Sequence, residues 1–281
     1  MLVYENEIHD EERAFYGLKD ATVKNCKIDG PADGESAFKE CRNIQVEDSF
    51  LNLRYPFWHV DGVKIKDCNM TENCRAALWY DNGVEIVDSK MHGIKALREC
   101  KNISLENVDI ISPEFAWRSH NIRVKNARLE GEYPFFECTD MEIENLRMKG
   151  KYSFQYIENV TFRNCNLDTK DAFWHAKNIT IEDSVVKGEY LAWYAENIRF
   201  VRCKIIGTQP LCYCKGLILE DCEMEGCDLS FERSEVNATI NGHVDSVKNP
   251  ISGSVTADSI GEIILEEEIV VPGACTITQR V

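Results

Sequence analysis

A chain of 281 residues with a net charge of −16 and a pI near 4.9 repels polyanions, which excludes nucleic acid and anionic membrane surfaces as partners. No stretch approaches the ~20 apolar residues of a membrane span, and the N-terminus carries Glu5, Glu7, Asp10, Glu11 and Glu12 where a secretion signal would be apolar. The 13 cysteines, an odd count without a leader, read as reduced thiols in a cytoplasmic protein.

Residues 1–20 read as a cap over the open end of a solenoid, because an uncovered solenoid turn exposes strand edges and core. From Ala21 the chain becomes periodic. An aliphatic that follows Asn, Asp or Gly recurs at Ala21, Ile44, Val63, Val84, Ile103, Ile122, Met141, Val160, Ile179, Ile198 and Leu217, and the same phase reaches Val236 after Glu235. From Val84 onward every interval is 19 residues. Two early intervals are longer: Ala21 to Ile44 is 23, with extra residues in Asp29 to Gly34, and Val63 to Val84 is 21, with extra residues around Thr71 to Cys74. Both insertions fall at one corner and flank the turn that carries Arg54 to Val63, and insertions in a solenoid map to one edge, often the binding edge. Residues 246–281 read as shorter terminal turns and a second cap.

Counted from each aliphatic as position zero, further apolar side chains fall at +2, +7 and −6, and a small or sulfur side chain at +5. Alternation in short runs predicts strands, and 19 residues are too few for a helix pair, whose repeat needs about 30 or more. The pattern therefore predicts a single all-β domain over 1–281, a right-handed parallel β-helix with about 19 residues per turn and twelve or more turns. Twelve turns at the strand spacing make a rod of roughly 55 Å. Asn, Asp or Gly at −1 and +4 tolerates the positive φ of a corner, and stacked Asn at −1 predicts an asparagine ladder of side-chain hydrogen bonds. Nine cysteines occupy inward columns, at +5 (Cys26, Cys68, Cys165, Cys203, Cys222) and −3 (Cys41, Cys100, Cys138, Cys214).

Two columns break the apolar pattern. Position −5 collects all five tryptophans, Trp58, Trp79, Trp117, Trp174 and Trp193, interleaved with Arg98 and Gln155, which points it outward. Position −4 runs through Glu40, His59, Tyr80, Glu99, Arg118, Glu137, Tyr156, His175, Tyr194 and Tyr213. A wall of Trp beside polar side chains suits a sugar-binding groove, with flat faces for C–H groups and fixed donors and acceptors for hydroxyls. The same wall equally suits an aromatic stack that stiffens a sheet and covers a seam with a cap or a second copy.

The densest chemistry lies between the two insertions. Glu40, His59 and Tyr80 occupy consecutive turns, each step about 4.8 Å, within reach of acid–base work with His59 as acid or base and Glu40 orienting it. Trp58, Trp79 and Trp117 would contact substrate, and at −9 Glu35, Arg54 and Arg75 would hold its polar or anionic groups. Asp81 replaces the usual small apolar residue at −3, where a carboxylate is costly unless bonded. A solvated ladder of ion pairs accounts for these residues as well. Glu99 and Glu137 lie roughly 9.6 Å apart, at the upper edge of an inverting glycosidase pair, but Arg118 between them favours an ion-pair ladder. Cys212, Cys214, Cys222 and Cys227 lack paired Cys-x-x-Cys knuckles, so no metal and no cofactor is expected.

On its repeat the chain resembles the pectin-lyase-like superfamily of single-stranded parallel β-helices. The runs Gly30 to Ser36, Arg54 to His59, Arg75 to Tyr80, Gly150 to Phe154 and Thr169 to His175 are similar to an uncharacterised bacterial family of such proteins. That resemblance implies a right-handed β-helix but carries no catalytic role, and neither a Gly-His-Gly motif, a paired-Asp motif nor an acidic calcium cluster is present. The expectation is a carbohydrate-binding or carbohydrate-processing β-helix, acting by hydrolysis or β-elimination on a short saccharide. The alternative is a non-catalytic scaffold whose aromatic face or cap binds a partner subunit, including a second copy.

Overall fold

The computed structural model describes residues 2–30 and 35–280 and is an all-β parallel solenoid of about 14 turns spaced about 19 residues apart. The corner run Pro31–Gly34, most of the first insertion, lies outside the described residues. Among the described residues no helix is long and apolar enough to cross a membrane. The chain divides into two compact units, residues 1–142 and 143–281.

In the first unit the zero positions pair strand on strand in parallel, Leu2 with Ala21, Ala21 with Ile44, Ile44 with Val63, Val63 with Val84, Val84 with Ile103 and Ile103 with Ile122. Each turn spends a six-residue strand here, as at Asn82–Val87, then bends at +4 and runs a shorter strand such as Lys90–His92. The bends are left-handed: Asp48, Asp67, Asp88 and Asn107 have φ between 48° and 54°. At −1, Gly62 and Gly83 stack with φ of 79° and 71°, and a Cβ on Gly83 would lie 3.6 Å from Gly62 Cα. Side-chain bonding passes there to the preceding residue: Asn82 Nδ2 donates to Asp61 Oδ1 at 2.9 Å, Asn102 to Asn82 at 2.7 Å and Asn121 to Asn102 at 2.7 Å. The core holds the zero, +2 and −6 columns, with Phe15, Phe38 and Phe57 stacked at 5.1 and 4.9 Å.

The N-terminal segment is itself built as a turn. Leu2–Glu5 and Ile8–His9 are strands that pair with Lys19–Lys24 and Lys27–Ile28 and complete a further turn. Phe15 sits fully in the −6 stack, so this segment follows the column rules that residues 21–245 obey.

In the second unit Val160, Ile179 and Ile198 pair in the same register, and Asn178 and Asn197 donate to Asn159 and Asn178 at 3.0 and 3.2 Å. The stride changes at its end. Leu217 pairs with Val236 across a one-residue register shift between Leu219 and Cys222; Val236 then pairs with Gly253 and Gly253 with Cys275. One terminal turn is therefore shorter than 19 residues and the next longer. Position 281 lies outside the described residues.

Candidate functional site

Between the insertions the first unit does something its other turns do not. Phe38–Lys39, Phe57–Trp58 and Leu78–Trp79 form a short three-stranded parallel sheet at −6 and −5. From Leu97 onward the −6 residue is instead left-handed, with φ of 57° at Leu97 and 58° at Ala116. An extended −6/−5 pair turns two indoles into direct cross-strand neighbours. Trp58 and Trp79 stack at 5.5 Å and 10°, the Lys39 ammonium covers Trp58 at 4.3 Å, and Tyr55 tilts against both indoles at 6.1 and 6.0 Å. Arg98 continues the file beside Trp79 and lies over Trp117 at 5.0 Å.

The neighbouring −4 file stands further out. Glu40, His59 and Tyr80 are exposed corner residues with φ of 60°, 57° and 59°, and the His59 and Tyr80 rings stack at 5.1 Å and 12°. Tyr80 also stacks on Trp79 at 5.3 Å. Ring faces are thus turned toward each other along the file, and what reaches solvent is a row of edges: imidazole, phenol and carboxylate one turn apart. A flat indole platform open to a sugar, as expected from the Trp column, is not what these turns present.

The −9 residues lie on the same side. Glu35 is half-buried and ion-paired with Arg54. Arg75 is exposed and has no ion-pair partner among the described residues. Further along, Arg118 Nε donates to Glu137 Oε2 at 2.7 Å, an ion pair that raises the guanidinium pKa, to which the more distant Glu99 adds.

Asp81 does not belong to the outward face. It is 1 % exposed in the −3 column, so it cannot touch a ligand lying on the aromatic files. Val60 N–H donates to Asp81 Oδ1 at 2.7 Å, while Oδ2 has no partner. Burial pushes its pKa well above the ordinary carboxylate value, against the smaller opposing effect of the Val60 bond. Its column explains the setting. Ser119 accepts from Cys100 N–H at 3.0 Å and donates to the Leu97 carbonyl at 2.7 Å, and Cys41 and Cys138 thiols donate to the carbonyls of Phe15 and Ala116. At Ser119, Cys41 and Cys138 position −3 carries a side chain that donates, while Val60, Ile157, Ala176 and Ala195 are apolar there; a carboxylate matches neither kind, and burial favours the neutral form of Asp81.

Sequence reasoning missed the state of the indole nitrogens. Trp117 Nε1 donates to the Tyr133 carbonyl at 2.6 Å, Trp174 to Tyr190 at 2.7 Å and Trp193 to Gln209 at 2.8 Å, always to the −8 residue of the next turn. Gln155 Nε2 makes the same bond to the Asp171 carbonyl at 3.0 Å. Only at Trp58 and Trp79, among the described residues, is the buried indole N–H without an acceptor. Both lie in the three-stranded sheet, whose altered backbone breaks the indole-to-carbonyl rule. No count of residues shows this.

Among the described residues no group of three or more His, Cys, Asp or Glu side chains is placed to hold a metal. No curated protein matches the chain. Solved structures similar to it include the A-module of mannuronan C-5 epimerase from Azotobacter vinelandii, 13 % identical, covering 80 % of this chain and 74 % of that one with a TM-score of 0.29. A second is the plasmid-mediated fluoroquinolone resistance protein QnrB1, 14 % identical over 78 % of this chain and 91 % of that one, TM-score 0.27. A double mutant of a periplasmic alginate epimerase is 10 % identical over 95 % of this chain and 78 % of that one, TM-score 0.28. Overlap this low carries no site across. The family model for DUF3737, a protein of unknown function, matches residues 2–278, and the chain belongs to that family.

Proposed function

We propose that the turns between Glu35 and Tyr80 bind a saccharide along the edges of the stacked aromatic files. The observation that carries this reading is the pair of indole N–H groups, Trp58 and Trp79, that lack an acceptor where every other tryptophan of the column has one. Buried donors are rarely left unmade, and a site evolved to hydrogen-bond a ligand leaves its own donors open without it. Around them stand groups that suit hydroxyls: the His59 imidazole, the Tyr80 phenol, the Glu40 carboxylate and the exposed Arg75 guanidinium, which has no ion-pair partner among the described residues. Tyr55, resting on both indoles, is the side chain that must move for a ligand oxygen to reach them. A row of polar groups repeating about every 5 Å matches a ligand that itself repeats, as a short oligosaccharide does.

Titration calorimetry and tryptophan fluorescence against a panel of neutral and acidic oligosaccharides test the proposal. Trp79→Phe keeps the stacked ring and removes only the donor, so it should weaken binding by about tenfold, the worth of roughly 1.4 kcal/mol for one hydrogen bond. Failure of every saccharide to bind the unaltered chain, or equal binding by Trp79→Phe, sinks it. Turnover of a bound saccharide that His59→Ala abolishes would assign acid–base work to His59. Self-association lost on replacing Trp58 and Trp79, with no saccharide binding, would make the face an assembly surface instead.

A further inference from the structure

A second constellation lies in the other unit, where the 19-residue stride breaks down. His243 opens the strand His243–Lys248, Ser259 opens the strand Ser259–Ile264, and parallel pairing sets the two residues side by side. The Ser259 hydroxyl is 2.8 Å from His243 Nδ1, and Asp245 Oδ1 lies 3.7 Å from His243 Nε2. Asp245 comes two residues after His243 on the same strand face, the spacing that lets it address the ring nitrogen Ser259 does not use. With the ring proton on Nε2, Nδ1 turns its lone pair to the Ser259 hydroxyl, and Asp245 at 3.7 Å attracts that proton electrostatically without a hydrogen bond. Gly261 lets the two strands approach closely here: a Cβ there would lie 2.6 Å from the Asp245 carbonyl oxygen.

His243 and Asp245 stand in the lining of a cleft of about 390 Å³, and Ser259 meets it through its contact with His243. His243, Asp245 and Asn241 line it with Glu223, Glu225 and Lys204, the last paired to Glu225 at 2.6 Å. Gly226 and Gly242 leave its floor open, since a Cβ on either meets no atom within 4 Å. The Asn241 side-chain oxygen faces Arg280 Nη1 at 3.5 Å, which leaves its amide N–H groups for the cleft. A nucleophile within hydrogen-bond reach of a base, a carboxylate on the far side of that base and an amide donor nearby are the parts that acyl transfer needs.

The geometry points to a serine-dependent acyl-transfer site at Ser259, with His243 as general base, Asp245 as the positioning residue and Asn241 as oxyanion donor. The substrate class is a small ester carrying hydroxyl or amine groups, which the carboxylates of the cleft would receive. Ser259 Oγ bonds to the ester carbonyl carbon, its proton passes to His243, and the carbon–oxygen bond to the alcohol breaks as His243 returns that proton to the leaving oxygen. Water then cleaves the acyl-serine by the same proton route, releasing the acid and restoring the hydroxyl. This site is independent of the aromatic files and of their ligand.

Full-length protein treated with a fluorophosphonate provides the test, since Oγ displaces fluoride from phosphorus without needing the natural ester. Intact mass should show one adduct, mapped by peptide sequencing to Ser259 and absent in Ser259→Ala. His243→Ala should slow labelling by about a hundredfold or more, the usual worth of a positioned base. Asp245→Asn should slow it less. His243 is exposed, so the variant is expected to melt as the parent does; if it does not, His243→Gln replaces it and the same slowing is required. Absence of an adduct on Ser259, or labelling of the His243 variants at the parental rate, overturns the assignment.

Discussion

Single residues are where this solenoid departs from its own rules, and Asp81 is the sharpest departure. Its column is otherwise apolar, as at Val60 and Ile157, or carries a side chain that donates to a carbonyl, as Ser119 and Cys41 do, and a carboxylate can be neither. Because burial raises the Asp81 pKa in the folded state, the fold holds a proton that the unfolded chain has already lost above its ordinary value of about 3.9. Stability is thus highest below that value and falls as pH rises toward the raised one. Asp81→Ser should stabilise the protein at neutral pH by roughly 1–3 kcal/mol, the cost of a buried unmet polar group, and the gain should vanish below about pH 4. Urea melts of both proteins at the two pH values check this; an equal gain at both would mean the charge is irrelevant. The indoles make a paired prediction. Trp117→Phe loses a hydrogen bond and should cost about 1 kcal/mol, whereas Trp58→Phe, which loses none, should be nearly neutral in the same melts.

At the level of the element, one turn is the unit. Each buries its apolar columns only against its neighbours, so stability is close to a sum of turn and interface contributions. Removing residues 177–195, 19 in all, would join Ala176 to Glu196 with every column preserved in the second unit. That deletion should still fold with a strand-type circular dichroism spectrum and a single melting transition. Removing residues 177–194 shifts the register by one and sends the zero and +2 side chains outward, so it should not fold. Equal behaviour of the two deletions would mean that column register does not hold the turns together. The three-stranded sheet at Phe38–Lys39, Phe57–Trp58 and Leu78–Trp79 shows the limit of this view, because its turns share the column chemistry of their neighbours and differ in backbone.

Across the whole molecule, cysteine is a packing residue. All 13 are free, and all but Cys275 are buried. Most donate a thiol hydrogen to a carbonyl of the preceding turn, as Cys68 does to Val46 and Cys203 to Ile181. Burial pushes the thiols of Cys41 and Cys74 up to about 11 and those of Cys68, Cys138 and Cys214 up to about 12, so thiolate is scarce at neutral pH. A disulfide-exchange reagent at neutral pH should therefore find at most the part-exposed Cys275 in the native protein and all 13 after guanidinium unfolding. Rapid native reaction of several thiols would contradict the packing.

Fold and columns were legible in the sequence for a simple reason. In a parallel solenoid, contact is between residues one stride apart, so periodic text such as Val160, Ile179 and Ile198 names its own neighbours. The same reading placed His59, Tyr80 and the Trp58–Trp79 pair on adjacent turns, and it located Asp81 in an inward column. It could not say that the rings turn their faces to each other, that two indole donors go unmet, or that residues 2–9 continue the stack. Nor did it find His243, Ser259 and Asp245, which meet only after the stride is lost. Periodicity specifies which side chains share a file; the direction each one faces and the partner it meets depend on the backbone of the turn, and only the tertiary structure decides that.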